Sequence, residues 1–172
     1  MTEDRIFVLT GPVHAGKTTF LRHLMQGFRD EGIRVNGILS LAVFKDSIRV
    51  SYDAFDLANG DSCPLLRTDP DPSWDRAGPF GMIPAGLRRA ESAITDTSHS
   101  SLTVIDELGP LELAGQGFWP GFQVVREKRL PILLVVRQEL IDRFQKTVKA
   151  RAHLFHFGEA GLGADMRSRR ST

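Results

Sequence analysis

At 172 residues, 41% of them apolar, the chain can fill one core and falls within the size of one ordinary domain. Twenty-two Lys and Arg against 21 Asp and Glu leave a formal charge of +1, which excludes a broad electrostatic footprint for nucleic acid or an anionic membrane, so any phosphate binding has to be local. Cys63 stands alone, which excludes an internal disulfide and a cysteine metal cage and fits a reducing compartment. The polar start, residues 1–5, does not read as a signal peptide. The longest apolar run, residues 130–136, contains Pro131 and falls far short of the roughly 20 residues that cross a bilayer. The expectation is a soluble, cytoplasmic protein with no membrane contact.

Residues 6–9 form a short apolar run ending in Thr10 and Gly11, as a buried parallel strand does. Phe20, Leu21, Leu24, Met25 and Phe28 then recur at helical spacing, with Gly32 as the stop. Residues 38–44 are branched and aromatic, residues 45–47 turn-like, and Ile48, Val50, Tyr52 and Ala54 alternate with polar residues, which predicts an antiparallel hairpin. Asn59-Gly60 is a second turn signal, with residues 62–67 as a third strand of the meander. Residues 68–81, rich in proline around Trp74, carry no periodicity and read as an irregular loop. Residues 83–98 predict a helix with Pro84 in its first turn, and residues 102–105 a second core strand. Phe118, Phe122 and Val125 mark a short helix, residues 132–136 a third core strand, residues 140–148 another helix, and residues 153–157 a closing strand. The expected class is α/β, a three-layer sandwich about a mainly parallel sheet with an inserted antiparallel hairpin or meander. One domain over residues 1–157 is followed by a disordered tail, residues 158–172, rich in Gly, Arg and Ser.

Between the first strand and first helix, Gly11-Pro12-Val13-His14-Ala15-Gly16-Lys17-Thr18 fits the G-x-x-x-x-G-K-[ST] pattern of a phosphate-binding P-loop. The glycines let the backbone wrap a phosphate so that several N–H groups point inward, and the following helix aims its positive end at the same place. Lys17 would neutralise β- and γ-phosphate oxygens, Thr18 would ligate Mg²⁺, and Thr19 would meet the α-phosphate. A glycine-rich turn capping an ordinary helix is the bland alternative, and the strand and helix flanks weigh against it. His14 on its own reads as a neutral surface or packing residue.

Asp106 and Glu107 follow the second core strand, at the sheet edge where the phosphate loop also lies, and match the Walker B pattern. Asp106 would hold Mg²⁺ through water, and Glu107, one residue further out, would activate a water in line with the γ-phosphate. A glutamate here favours hydrolysis, because a kinase must keep water from its γ-phosphate. Arg137, at the end of the third core strand, emerges on the nucleotide side and could meet a base face or a phosphate. Glu112 could lie near this loop or face solvent, and Arg88, Arg89 and Arg126 read as solvated helix charges.

The combined text of residues 11–21, Gly37 to Leu39 before a hairpin, and Val104-Ile105-Asp106-Glu107-Leu108-Gly109-Pro110-Leu111-Glu112-Leu113 resembles the family of small single-domain P-loop nucleoside-triphosphatases. The D-E-x-G-x-x-E string carries the likeness most specifically. The resemblance implies a RecA-like core that hydrolyses ATP, GTP and other triphosphates with Mg²⁺ and contacts the base loosely. Carried over by position, it makes residues 11–19 the nucleotide loop, Asp106 the metal-side acid and Glu107 the residue that activates water. Two departures stand out: Arg49-Val50-Ser51-Tyr52 where the family has Arg-x-Gly-Phe, and the proline-rich loop around Trp74. No residue reads as an assured arginine finger, which leaves room for an activating protein partner. The competing readings are a small-molecule or nucleotide kinase, with residues 68–81 closing over an acceptor, and a nucleotide-gated binding protein.

Overall fold

The structure, a computed structural model, describes residues 5–169. β1 (Ile6–Thr10) is buried along its whole length. Its alternate residues feed two separate apolar clusters: Ile6 and Val8 pack with Ile94, Phe122 and Phe144, whereas Phe7 and Leu9 pack with Leu21, Met25 and Phe28. A strand covered on both faces has to be apolar throughout, which is why this one shows no polar alternation. α1 (Lys17–Asp30) lays Leu21, Met25 and Phe28 onto the second cluster at helical spacing.

The chain then builds β2 (Val35–Lys45), β3 (Ile48–Asp56), β4 (Ser62–Arg67), β5 (Arg76–Ala77) and β6 (Phe80–Met82), followed by α2 (Pro84–Thr95), β7 (Leu102–Leu108), α3 (Trp119–Glu127), β8 (Ile132–Val136), α4 (Ile141–Val148), β9 (Ala152–His156) and α5 (Leu162–Ser168). Among the described residues the strands form one mixed sheet in the order β5-β6-β4-β3-β2-β7-β8-β1-β9. β2, β7, β8, β1 and β9 run parallel, and β3, β4, β6 and β5 extend the sheet by antiparallel pairing. The expected meander is present. So is an extension the sequence does not announce: within residues 68–81, read as irregular, β5 and β6 make a small hairpin on β4.

β2 belongs to both halves of the sheet. Only its first four residues pair with β7, and the rest of its eleven pair with β3 alone. β8 ends at Val136, two residues beyond the level of Ile38, so at roughly 3.3 Å per residue the β2–β3 hairpin reaches roughly 15 Å past the C-terminal edge of the parallel strands. Where β2 meets β7 the backbones crowd. Gly37 sits at φ +102°, and a β-carbon there would lie 1.9 Å from the Val104 carbonyl oxygen, so no other residue fits. Beside it Asn36 is buried; its amide donates to the carbonyls of Ala93 (3.1 Å) and Ile94 (2.8 Å) and its oxygen accepts from the Thr103 hydroxyl (2.8 Å). This link satisfies carbonyls at the end of α2 and ties α2, β2 and β7 together.

The tail departs from expectation. Residues 162–168 are helical, with Leu162 and Met166 buried in the same cluster as Leu21 and Phe28. Arg167 stacks 4.7 Å from the Phe28 ring centroid and pairs with Glu31 (Nε–Oε2 2.7 Å). Residues 158–169 therefore do not fit the disordered tail, and residues 170–172 lie outside the described part. Among the described residues no helix is long and apolar enough to cross a membrane.

Candidate active site

The loop from Gly11 to Gly16 joins β1 to α1. Pro12, Val13, His14 and Gly16 are exposed, and Gly16, the residue that opens α1, adopts φ +95°, a left-handed conformation that strains any residue with a β-carbon. α1 begins with no side-chain cap and no acid in its first turn. Its orphan N–H groups and the positive end of its dipole are thus directed at the loop, the standard arrangement for an anion. Lys17 is buried, and its Nζ donates to the carbonyls of Gly11 (3.0 Å) and Pro12 (2.5 Å), which sets the ammonium inside the curve of the loop. Thr19 is exposed on the next position of the helix. On the β9 side, the Phe157 N–H donates to the Thr10 carbonyl (2.7 Å) and its ring meets Phe20 edge-on, so that the loop has an aromatic wall.

The acidic end of β7 meets this loop. The Thr18 hydroxyl donates to Asp106 Oδ2 at 2.8 Å, joining residues 88 positions apart. From β2 the Ser40 N–H approaches the same oxygen at 3.4 Å, and the Ser40 hydroxyl donates to the Asp106 carbonyl. β7 and β8 lose register between Ile105 and Leu108, so Asp106 and Glu107 occupy an irregular stretch of strand that redirects their side chains. Asp106 is only 3% exposed. Burial pushes its carboxyl up to about 7, with the charge of Glu107 adding to the rise while the Thr18 hydrogen bond, the Ser40 N–H and Lys17 oppose it. A hydroxyl and a carboxylate oxygen converging on one point are hard donors of the kind Mg²⁺ takes. Among the described residues no group of three or more His, Cys, Asp or Glu is set to hold a metal alone. A cation here would draw its other ligands from phosphate and water.

Glu107 and Arg137 come together as an ion pair, with Arg137 Nε donating to Glu107 Oε1 at 2.7 Å. The arginine that the sequence directs towards nucleotide thus holds one oxygen of the catalytic candidate. Glu112 is buried rather than solvent-facing: its carboxylate accepts from the N–H groups of Gly109 (2.8 Å) and Phe118 (3.4 Å), and desolvation raises its pKa. This gives the D-E-x-G-x-x-E spacing a physical reason, because the last acid staples the backbone of the glycine that follows the pair.

Sequence reasoning missed the contribution of the hairpin. Arg49, one residue into β3, places Nη2 2.9 Å from His14 Nδ1 of the phosphate loop, and its Nη1 donates to the Tyr52 hydroxyl at 2.8 Å. Periodicity finds both strands of the hairpin but says nothing of how far it overhangs.

A strand, a phosphate-wrapping loop and a helix, with a buried acid brought to the helix from a neighbouring parallel strand, define an α/β protein of the P-loop class. The comparisons with known proteins narrow this. The NTPase family matches residues 6–158, and the chain belongs to that family of nucleoside-triphosphatases. It is 31% identical over 162 residues to nucleoside-triphosphatase THEP1 of Methanopyrus kandleri, covering 86% of this chain and 89% of that one. It is 29% identical over 164 residues to the THEP1 enzyme of Thermococcus kodakarensis, covering 92% and 90%. Among solved structures, the fold resembles a human cancer-related nucleoside triphosphatase (TM-score 0.70, 22% identity, 97% of this chain and 96% of that one). It also resembles THEP1 from Aquifex aeolicus (TM-score 0.58, 16% identity, 95% of both chains).

Proposed function

We propose that this enzyme is a Mg²⁺-dependent nucleoside-triphosphatase that releases the terminal phosphate of ATP, GTP and other nucleoside triphosphates. The observation that carries the reading is the 2.8 Å hydrogen bond between Thr18 and Asp106, which brings the phosphate loop and the acidic strand end to one point. In this reading residues 11–19 cradle the phosphates, Lys17 neutralises their oxygens, and Thr18 and Asp106 hold the cation, which when bound offsets charge on the β- and γ-phosphates. Arg137 occupies Glu107 Oε1 and so directs the other oxygen, Oε2, towards a water. Attack by that water forms its bond to the γ-phosphorus and breaks the bond from phosphorus to the bridging oxygen. The electron pair leaves on the diphosphate and a water proton passes to Glu107.

The relatives are named nucleoside-triphosphatases without a base, which supports breadth of substrate. The near-neutral charge supports a small nucleotide rather than a nucleic acid as ligand, and a cytoplasmic setting accords with the single free thiol. The two apolar clusters fed by alternate residues of β1 support a three-layer, RecA-like arrangement.

The test is phosphate release by the full chain against a panel of triphosphates, with Mg²⁺ and with a chelator. Lys17→Ala is expected to abolish nucleotide binding, and Glu107→Gln to retain binding while losing at least about a hundredfold in kcat. Unchanged turnover in Glu107→Gln would remove that residue from its assigned role, and full turnover in chelator would remove the metal.

A further inference from the structure

Two arginines bear on the site, Arg49 against the phosphate loop and Arg137 against Glu107, and their surroundings differ. Arg137 is already neutralised by Glu107 at 2.7 Å. Arg49 has no carboxylate partner among the described residues: its guanidinium touches the His14 imidazole and the Tyr52 hydroxyl, and its Nε is buried with no hydrogen-bond partner. The aromatic rings of Phe44 and Tyr52, with centroids 5.5 and 5.4 Å from its guanidinium carbon, hold it in place. A guanidinium supported by rings, lacking a counter-charge and touching a loop shaped for phosphate is a cation whose natural complement is an anion in that loop.

The topology decides which part of a triphosphate it would meet. The hairpin rises from β2, the strand next to β7, and Ser40 of β2 touches Asp106. The hairpin therefore stands on the metal-side flank of the loop, while β9 and Phe157 stand on the other flank. His14, which Arg49 touches, lies within the phosphate-wrapping turn itself.

We propose that Arg49 is a catalytic residue: an arginine finger supplied within the chain by the β2–β3 hairpin, which turns from His14 onto the γ-phosphate oxygens and stabilises the charge that spreads over them as the bridging bond breaks. The inference rests on the phosphohydrolase reading above and deepens it. Bond making and breaking are those already written, and Arg49 exchanges no proton, because a guanidinium stays charged throughout. Hinging the finger on the strand pair that also contacts Asp106 couples its position to that of the acid.

The experiment compares the parent chain with Arg49→Ala and Arg49→Lys. Arg49→Ala is expected to lose about 10³-fold in kcat while KM and affinity for a non-hydrolysable triphosphate analogue stay within about fivefold. Affinity for the diphosphate with aluminium fluoride, which mimics the transferred phosphoryl group, should fall with kcat. Arg49→Lys should recover less than about a tenth of the activity, because a point charge does not reproduce the planar fork. Added guanidinium ion at concentrations too low to unfold the chain should partly restore Arg49→Ala. Turnover of Arg49→Ala within about fivefold of the parent would overturn the proposal, as would a kcat loss matched by equal losses of analogue affinity and thermal midpoint, the mark of a packing role. Phosphate release by the parent separates the two claims: a parent that hydrolyses nothing sinks the phosphohydrolase reading, and an active parent indifferent to Arg49 sinks this inference alone.

Discussion

Burial lifts the Asp106 carboxyl to about 7 from the ordinary 3.8 in spite of the opposing hydrogen bonds from Thr18 and Ser40, so between those values the native chain keeps a proton that the unfolded chain releases. Between those two values the folded state binds more protons, and stability falls as pH rises through that window. Metal-free, nucleotide-free protein should therefore lose thermal midpoint between about pH 4 and about pH 7, the window set by the unfolded and folded values, and level off above it. Asp106→Asn, which cannot ionise, should flatten the loss and unfold several degrees higher at the alkaline end. Parallel calorimetric curves for the two proteins would contradict this. A carboxylate that destabilises its own fold fits the cation-holding role proposed for Asp106.

At the scale of elements, the segment after β7 is held by one buried acid. Glu112→Ala leaves the N–H groups of Gly109 and Phe118 without their acceptor, at a cost of about 1–3 kcal/mol for desolvated donors. Urea denaturation should register this as a lower midpoint with an unchanged slope. The core elements were legible from local pattern alone. β1, β7 and β8 are short apolar runs, and α1 repeats its large side chains at helical spacing. Lys17, Thr18, Asp106 and Glu107 were legible because parallel strands deliver their C-terminal ends to one edge, so two local motifs imply a meeting. The contact of Arg49 with His14 was not, since it depends on the overhang and twist of a hairpin, which no periodicity encodes. Glu112 was ambiguous for a related reason: a carboxylate staple and a solvated acid look alike until the backbone it binds is known.

For the molecule as a whole, α5 closes the face on which α1 packs. Its two buried side chains, Leu162 and Met166, are one helical turn apart in a stretch dominated by Gly, Arg and Ser, too sparse a signal to announce a helix. Truncation after Glu159 removes both from the cluster with Leu21, Met25 and Phe28, together with the Arg167–Glu31 pair. The expected loss is about 3 kcal/mol, dominated by apolar burial, since the exposed ion pair contributes little. A chemical denaturation midpoint equal to that of the full chain would show that α5 adds nothing to the core.

The uncapped start of α1 has a consequence for how long such a protein survives. In the proposed function, a helix whose first turn carries neither its own acceptor nor its own negative charge is left for the substrate to complete. An anion bound there at a hundred times its dissociation constant adds about 2.7 kcal/mol to the folded state. Resistance to proteolysis would then follow the supply of the very molecule the enzyme consumes, and starvation for substrate would thin the enzyme's own population.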